Sequence, residues 1–195
     1  MSREESPGKR AGLITRREAI GGLVAVVAAP MIVSNVWAQQ SGPPTQAPPG
    51  AAVDPIPRVQ HTATTLQDGR VLVAGGFYLG ALSSVQIYDP VSNTWTNAAS
   101  LNVPRSEHAA ALLTDGTVLV SGGFNLSPLS HAEIYDPVAG NWTATGSMNV
   151  ARYQHTAALV SGAGRDVSQV MVTGGLSGSP LIAVEFYDNG VWTLA

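Results

Sequence analysis

The chain of 195 residues has no cysteine, so disulfides and thiolate chemistry are excluded. Charged residues make up only 12% of the sequence and aromatic residues only 6%. Lysine is absent beyond Ala38, where five Arg face ten Asp and Glu. Because phosphate recognition needs a basic patch, this acidic balance argues against nucleic acid and anionic membrane surfaces as partners.

Residues 1–38 have the pattern of an export signal. Five basic residues lie in the first seventeen positions, followed by an uncharged run of fifteen residues from Ala19 to Val33. The small side chains of Val36 and Ala38 then suit a cleavage site. We therefore expect an exported protein that is periplasmic, secreted or held at the cell surface.

The segment from Thr15 to Ile20 resembles the twin-arginine export signal, with Arg16 and Arg17 in register. General secretion and an uncleaved membrane anchor remain alternatives. The anchor would need about 20 apolar residues, which is more than the run from Ala19 to Val33 provides. Contact with a membrane is thus expected only through an uncleaved signal.

Residues 39–57 are rich in proline, glycine, serine and glutamine, with six Pro in nineteen positions. Such a composition cannot bury an apolar core. We expect this segment to be an extended linker between the signal and the rest of the chain.

From Arg58 onward, one unit is written three times, as residues 58–104, 105–151 and 152–195. Each unit has an Arg-x-x-His, a Gly-Gly doublet, a Tyr-Asp pair and a Trp in the same order, and the Arg and His recur every 47 residues. A period of this length with four strand-like segments is typical of a propeller blade. The repeated residues are Arg58, His61, Gly75, Gly76, Tyr88, Asp89 and Trp95; Arg105, His108, Gly122, Gly123, Tyr135, Asp136 and Trp142; and Arg152, His155, Gly174, Gly175, Tyr187, Asp188 and Trp192.

The strand pattern within each unit is consistent. Short apolar runs at Val71–Ala74, Val118–Ser121 and Val170–Thr173 predict strands that are buried on both faces. Asp68-Gly69 in the first unit is a strong hairpin turn signal. We predict an all-β fold in which three four-stranded antiparallel blades form a partial propeller.

These motifs resemble the kelch repeat, and the likeness extends from Arg58 to Trp192. The resemblance implies four strands per blade with the Gly-Gly strand innermost. Kelch propellers include galactose oxidase, a copper radical enzyme, and a periplasmic sialic acid epimerase. The copper enzyme needs a Cys–Tyr crosslink, which these cysteine-free blades cannot form.

Three blades are fewer than the four to eight of common propellers. Three explanations remain open: a piece of a longer protein, a homodimer that completes a six-bladed ring, and an open arc. We also expect the third blade to lack its outer strand, and the stretch His61–Gln67 to be left over at the other end. That stretch would then complete the last blade of a second chain.

The repeated polar residues are interpreted as structural. Arg and His would join blades through buried hydrogen bonds, Asp would cap turns, and Trp would pack within blades. No catalytic group, metal site or cofactor is predicted. Functional residues should instead break the repeat, and six loop or strand-start positions do so: Tyr78, Glu107, Asn125, His131, Arg165 and Asp166.

The function that we predict from the sequence is an exported, non-enzymatic scaffold that binds a protein or a glycan. A first alternative is part of a larger carbohydrate enzyme, similar to the sialic acid epimerase, whose site lies partly in further blades. A second alternative is a structural spacer at the cell surface.

Overall fold

A computed structural model describes residues 53–161 and 168–195. These residues form fourteen strands and contain no helix, which confirms the prediction of an all-β fold. The predicted export signal at 1–38 and most of the linker lie outside the described residues. Within the described ranges, no helix has the length and apolar character needed to cross a bilayer.

Three four-stranded antiparallel sheets account for twelve of the strands, as predicted for three blades. In each sheet, the strands follow one another in chain order from one edge to the other. Sheet 1 contains β1 (Thr62–Thr65), β2 (Val71–Ala74), β3 (Val85–Asp89) and β4 (Thr94–Ala98); sheet 2 contains β5 (Ala109–Leu112), β6 (Val118–Ser121), β9 (Ala132–Asp136) and β10 (Asn141–Thr145); sheet 3 contains β11 (Thr156–Ser161), β12 (Ser168–Thr173), β13 (Val184–Asp188) and β14 (Val191–Leu194). The short pair β7 (Phe124–Asn125) and β8 (Ser127–Pro128) stands apart.

Local sequence explains the first hairpin of sheet 1. Asp68-Gly69 joins β1 to β2, and Gly69 has a positive φ of 87°, which glycine adopts without steric cost. Thr65 then faces Val71 across the ladder. The alternation of half-buried and exposed residues along β1 agrees with an edge strand that packs on one face.

Two apolar cores hold the sheets together, and each is shared by neighbours. The first combines residues of sheets 1 and 2, among them Leu72, Val85 and Val118. The second combines residues of sheets 2 and 3, among them Leu119, Val170 and Val172. Both cores therefore form between two blades rather than within one.

Two expectations are wrong. Sheet 3 has all four strands, and β1 pairs with β2 of its own unit, so no strand is missing or left over. The Gly-Gly strands β2, β6 and β12 are not innermost either, since each has a partner on both sides. The strands that contact each other across neighbouring sheets are β1, β5 and β11. The physical reason is that a short hairpin closes its loop at little entropic cost, so β1 joins the nearest strand.

Candidate functional site

Arg105 joins sheet 1 to sheet 2. Its backbone bonds to the loop after the first Gly-Gly, through Gly76 N to Arg105 O at 2.9 Å and Arg105 N to Leu82 O at 3.0 Å. Its fully buried guanidinium enters sheet 2, where Nη1 donates to the carbonyls of Gly122 at 2.7 Å and His131 at 2.9 Å. One residue thus ties two blades together.

Glu133 balances this buried charge. Its Oε1 lies 2.6 Å from Nη2 of Arg105, and it also accepts hydrogen bonds from the backbone amides of Asn102 and Val103. The side-chain amide of Asn102 adds a fourth donor. Glu133 was not among the residues predicted from the sequence, although the acidic residue that precedes Tyr-Asp in both the second and the third unit was an available signal.

The same device recurs between sheets 2 and 3. Arg152 Nη2 lies 2.8 Å from Oε1 of Glu185, and both side chains are fully buried. Glu185 in turn accepts hydrogen bonds from the backbone amides of Asn149 and Val150. A buried ion pair with every partner satisfied is therefore a constant of both junctions.

Sheet 1 carries a different version. Arg58 donates from Nη2 to Oε1 of Gln86 at 2.6 Å, and Gln86 occupies the register that is glutamate in the other sheets. The charge of Arg58 is balanced instead by Asp54, whose Oδ2 lies 2.9 Å from Nε. Pro55, which lacks an N–H, stands where Asn102 supplies two donors at the next junction.

The repeated histidines dock on the preceding sheet. His108 Nε2 lies 2.8 Å from the Thr62 hydroxyl, and His155 Nε2 lies 3.1 Å from the Ser121 hydroxyl. Burial lowers the pKa of His108 well below its usual value, and burial together with Arg152 lowers the pKa of His155 to about 3. Both rings are therefore neutral near pH 7, which suits a packing role.

The Gly-Gly doublets allow close approach of the next unit. A Cβ atom on Gly75 would lie 2.6 Å from the carbonyl oxygen of Arg105 and 2.9 Å from Cε1 of His108. At Gly122, the carbonyl of Arg152 would be only 2.5 Å away. At Gly174, no atom lies within 4 Å of that position. The equivalent recess on sheet 3 is thus open among the described residues.

Each Tyr-Asp pair stacks its tyrosine on the tryptophan of its own sheet, with ring centroids 5.0–5.1 Å apart. Trp142 also donates from Nε1 to the carbonyl of Ala99, and Trp192 to that of Gly146, so these two side chains link adjacent units. Trp95 is only half-buried, and its Nε1 has no partner among the described residues.

The aspartates differ in their surroundings. Asp89 Oδ1 accepts hydrogen bonds from the amides of the following turn, and Asp136 does the same. Asp188 makes no such cap, and it accepts a hydrogen bond from Gln169 Nε2 at 3.2 Å instead. The turn after Asp188 is only two residues long, so β14 begins before a cap can form.

The loop candidates are spread over the molecule. Tyr78 is exposed in the loop after the first Gly-Gly, and Asn125 is half-buried at the equivalent place in sheet 2. His131 is exposed, while its carbonyl serves Arg105. Arg165 and Asp166 lie outside the described residues. No described contact brings these candidates into one site.

Glu107 is different, because it belongs to a continuous polar row. Its amide donates to Gln60 O at 3.0 Å, and its carbonyl accepts from Gln154 N at 2.9 Å. All three residues have a positive φ, between 54° and 56°, which is uncommon for residues other than glycine. We call Gln60, Glu107 and Gln154 the axial row, since they precede the contacting strands β1, β5 and β11.

The carboxylate of Glu107 is the chemically open member of the axial row. Its Oε2 is buried and has no hydrogen-bond partner among the described residues. Backbone strain and an unsatisfied buried acceptor both point to a functional position. Within the described ranges, no group of three or more His, Cys, Asp or Glu could hold a metal ion.

The sheets define the class of the molecule, which is a set of β-propeller blades. The family model described as Kelch motif matches residues 57–102 and 105–149, so the first two units are kelch repeats. Sheet 3 repeats the strand order of the matched units. A search of the curated proteins found no match to this chain.

Proposed function

We propose that this protein is an exported, non-enzymatic scaffold that binds a protein partner at the axial row. Kelch repeats form β-propeller scaffolds that typically bind proteins, and the axial row is where the three units meet. The observation that carries the proposal is the buried oxygen of Glu107, which has no hydrogen-bond partner in the described part of the chain and whose residue is bonded to two glutamines with positive φ. Because Glu107 as a whole is half-buried, a turn of its side chain would bring this oxygen to the surface, where a hydrogen-bond donor of a partner would satisfy it.

The non-enzymatic part of the proposal rests on how the reactive side chains are used. Arg105 and Arg152 are neutralised by buried carboxylates, and His108 and His155 are held neutral against the preceding sheet. General acid–base catalysis requires a group that titrates near the working pH and reaches the substrate. These buried groups meet neither requirement.

The export part of the proposal rests on the sequence of residues 1–38 alone. Two basic clusters, an apolar run and small residues at a cleavage site support it. The six-bladed homodimer stays a prediction as well. The open recess at Gly174 supports it, although an exchanged strand no longer does.

Site-specific crosslinking tests the binding proposal. A photoreactive residue is placed at position 107 of the full chain in the exporting host, and a matched one at Val138, which is 96% exposed on a turn. We expect protein adducts from position 107 in the exported fraction and none from position 138. A glycan adduct would favour the glycan-binding alternative, and equal labelling at both positions would contradict the axial row as the site.

A further inference from the structure

A cleft of about 310 Å³ opens between sheets 2 and 3, at the hairpin end of β5. This end lies opposite to the axial row, which precedes the same strand. Thr114, Thr117 and Asn189 stand at the cleft with two carboxylates, those of Asp115 and Asp188. The remaining lining is apolar apart from one tyrosine, and it consists of Leu113, Ile134, Leu159, Val170 and Tyr187.

The corresponding place between sheets 1 and 2 is filled by the chain itself. Gln67 lies over the next hairpin, where its Nε2 donates to Thr114 O at 3.3 Å. Arg70 pairs with Asp68, since Nε and Nη2 each lie 2.7 Å from Oδ2. Burial raises the pKa of Tyr135, and the positive charge of Arg70 opposes that rise, so Arg70 acts on this tyrosine.

The 47-residue register shows what the second cleft has lost. Thr114 replaces Gln67 and Thr117 replaces Arg70, so two long side chains become short ones. The apolar residues beneath these positions are more exposed at the second cleft. Leu66 and Ile87 are 3% and 7% exposed, whereas their equivalents Leu113 and Ile134 are only half-buried.

The carboxylates remain although the guanidinium is gone. Asp115 uses Oδ1 for the amide and hydroxyl of Thr117, and Asp188 uses Oδ2 for Gln169. One oxygen of each carboxylate is therefore without a hydrogen-bond partner among the described residues. No Lys or Arg is among the residues that line this cleft.

We propose that the cleft between sheets 2 and 3 binds an arginine side chain of a partner protein. Guanidinium fits better than ammonium, because its flat faces stack on apolar walls while its edge pairs with carboxylates. Arg70 shows the same group beside the same carboxylate position within this molecule. This proposal rests on the proposed scaffold function, and it adds a second contact with the partner, away from the axial row.

Binding of two small probes tests this proposal on the protein purified from cells that express the full chain. The first probe is N-acetyl-arginine amide, and the second is its neutral isostere, N-acetyl-citrulline amide. We expect the arginine probe to shift the amide resonances of Thr117 and Ile134. Its affinity should exceed that of the citrulline probe by about tenfold, because charge-assisted hydrogen bonds are the stronger ones.

Three variants sharpen the test. Thr117→Arg supplies the guanidinium in cis and should abolish binding of the arginine probe. Asp115→Asn should weaken binding by about tenfold, since it removes one charged acceptor. The matched control, Asp68→Asn, changes the equivalent carboxylate of the filled place and should leave affinity unchanged.

Several outcomes would overturn the proposal. Equal affinity for the arginine and citrulline probes would show that charge is not recognised. Saturable binding of Ca²⁺ that displaces the arginine probe would identify a cation site of another kind. Binding that appears only in an Arg165→Ala variant would show that the chain occupies its own cleft. Crosslinking at position 107 does not depend on this cleft, so it can succeed when the arginine test fails.

Discussion

Sheets 1 and 2 hold the same arginine in two different ways. Arg105 in sheet 2 faces Glu133, which collects four donors from the arginine and the preceding segment. Arg58 in sheet 1 faces the neutral Gln86 and finds its counter-charge in Asp54. The geometry around both guanidinium groups is otherwise alike, with two backbone carbonyls accepting from Nη1.

Three positions change together between the two sheets: Asp54, Pro55 and Gln86 become Leu101, Asn102 and Glu133. Where Asn102 offers two donors, a buried glutamate is fully satisfied. Where Pro55 offers none, a glutamate at position 86 would keep unsatisfied lone pairs, and glutamine removes that cost. Asp54, which is partly exposed, then carries the charge where water still reaches it.

The largest expected effect comes from breaking the buried pair. Arg105→Ala leaves Glu133 charged and buried, so we expect a loss of about 3–5 kcal/mol of unfolding free energy. The matched variant Arg58→Ala leaves a neutral glutamine and a partly exposed aspartate, and it should cost about 1–3 kcal/mol. Urea unfolding of both variants measures this, and equal losses would contradict the comparison.

Tryptophan truncation gives the next largest effect. Trp142→Ala removes a buried ring and its hydrogen bond to Ala99, and we expect a loss of about 3 kcal/mol. Trp95→Ala should cost about half as much in the same assay, because that ring is half-buried and lacks a partner for Nε1. A larger loss for Trp95 would mean that it packs on residues beyond those described.

A third change tests whether the three positions act together. Gln86→Glu alone should destabilise the fold by about 1 kcal/mol, since the new carboxylate competes with Asp54 for Arg58. Adding Asp54→Leu and Pro55→Asn imports the sequence of the next junction and should restore stability. A triple variant that is less stable than Gln86→Glu in thermal melting would refute the coupling.

The smallest effect concerns pH. The pKa of His155 is lowered to about 3 in the folded protein, whereas an unfolded histidine has a pKa near 6.5. Between these two values, the unfolded chain binds a proton at this residue and the folded chain does not. Stability from this residue is complete above pH 6.5 and is lost as pH falls toward 3. Between pH 7 and pH 6, the loss should be about 0.7 kcal/mol.

His155→Gln should flatten that part of the stability curve, as followed by urea unfolding at each pH. His61→Gln is the control, because that residue is exposed, and burial and Arg58 lower its pKa less than the pKa of His155 is lowered, so it should alter the slope less. An unchanged slope in His155→Gln would argue that the buried ring is protonated in the folded state.

The strands were predictable because their signals are local. Val71–Ala74 and Val118–Ser121 are strands with the bounds that the apolar runs indicate. The pairing of β1 was predicted wrongly. We expected this strand to join a second chain, although the hairpin turn at Asp68-Gly69 indicates that it pairs with β2. A turn signal with a short loop is the stronger guide when both readings compete.

The contacts of the side chains were less accessible from the sequence. Glu133 alternates with apolar residues along β9, so it resembles a solvent-facing position although it is buried. Its burial is explained by the Arg that pairs with it, 28 residues earlier, together with the donors of Asn102 and Val103. The cleft beside Thr117 depends on the absence of a long side chain, and such a space has no motif of its own.

The docking of each histidine on the preceding sheet has a consequence for changes in repeat number. His108 docks on sheet 1 at Thr62 of β1, and His155 docks on sheet 2 at Ser121 of β6, which faces Ala109, the equivalent of Thr62, across the ladder. If residues 105–151 were deleted, His155 and Arg152 would arrive at the recess that His108 and Arg105 occupy. When a whole unit is removed or duplicated, the units that become neighbours therefore already have complementary surfaces. Gene rearrangement can thus lengthen or shorten this array without a new interface having to evolve.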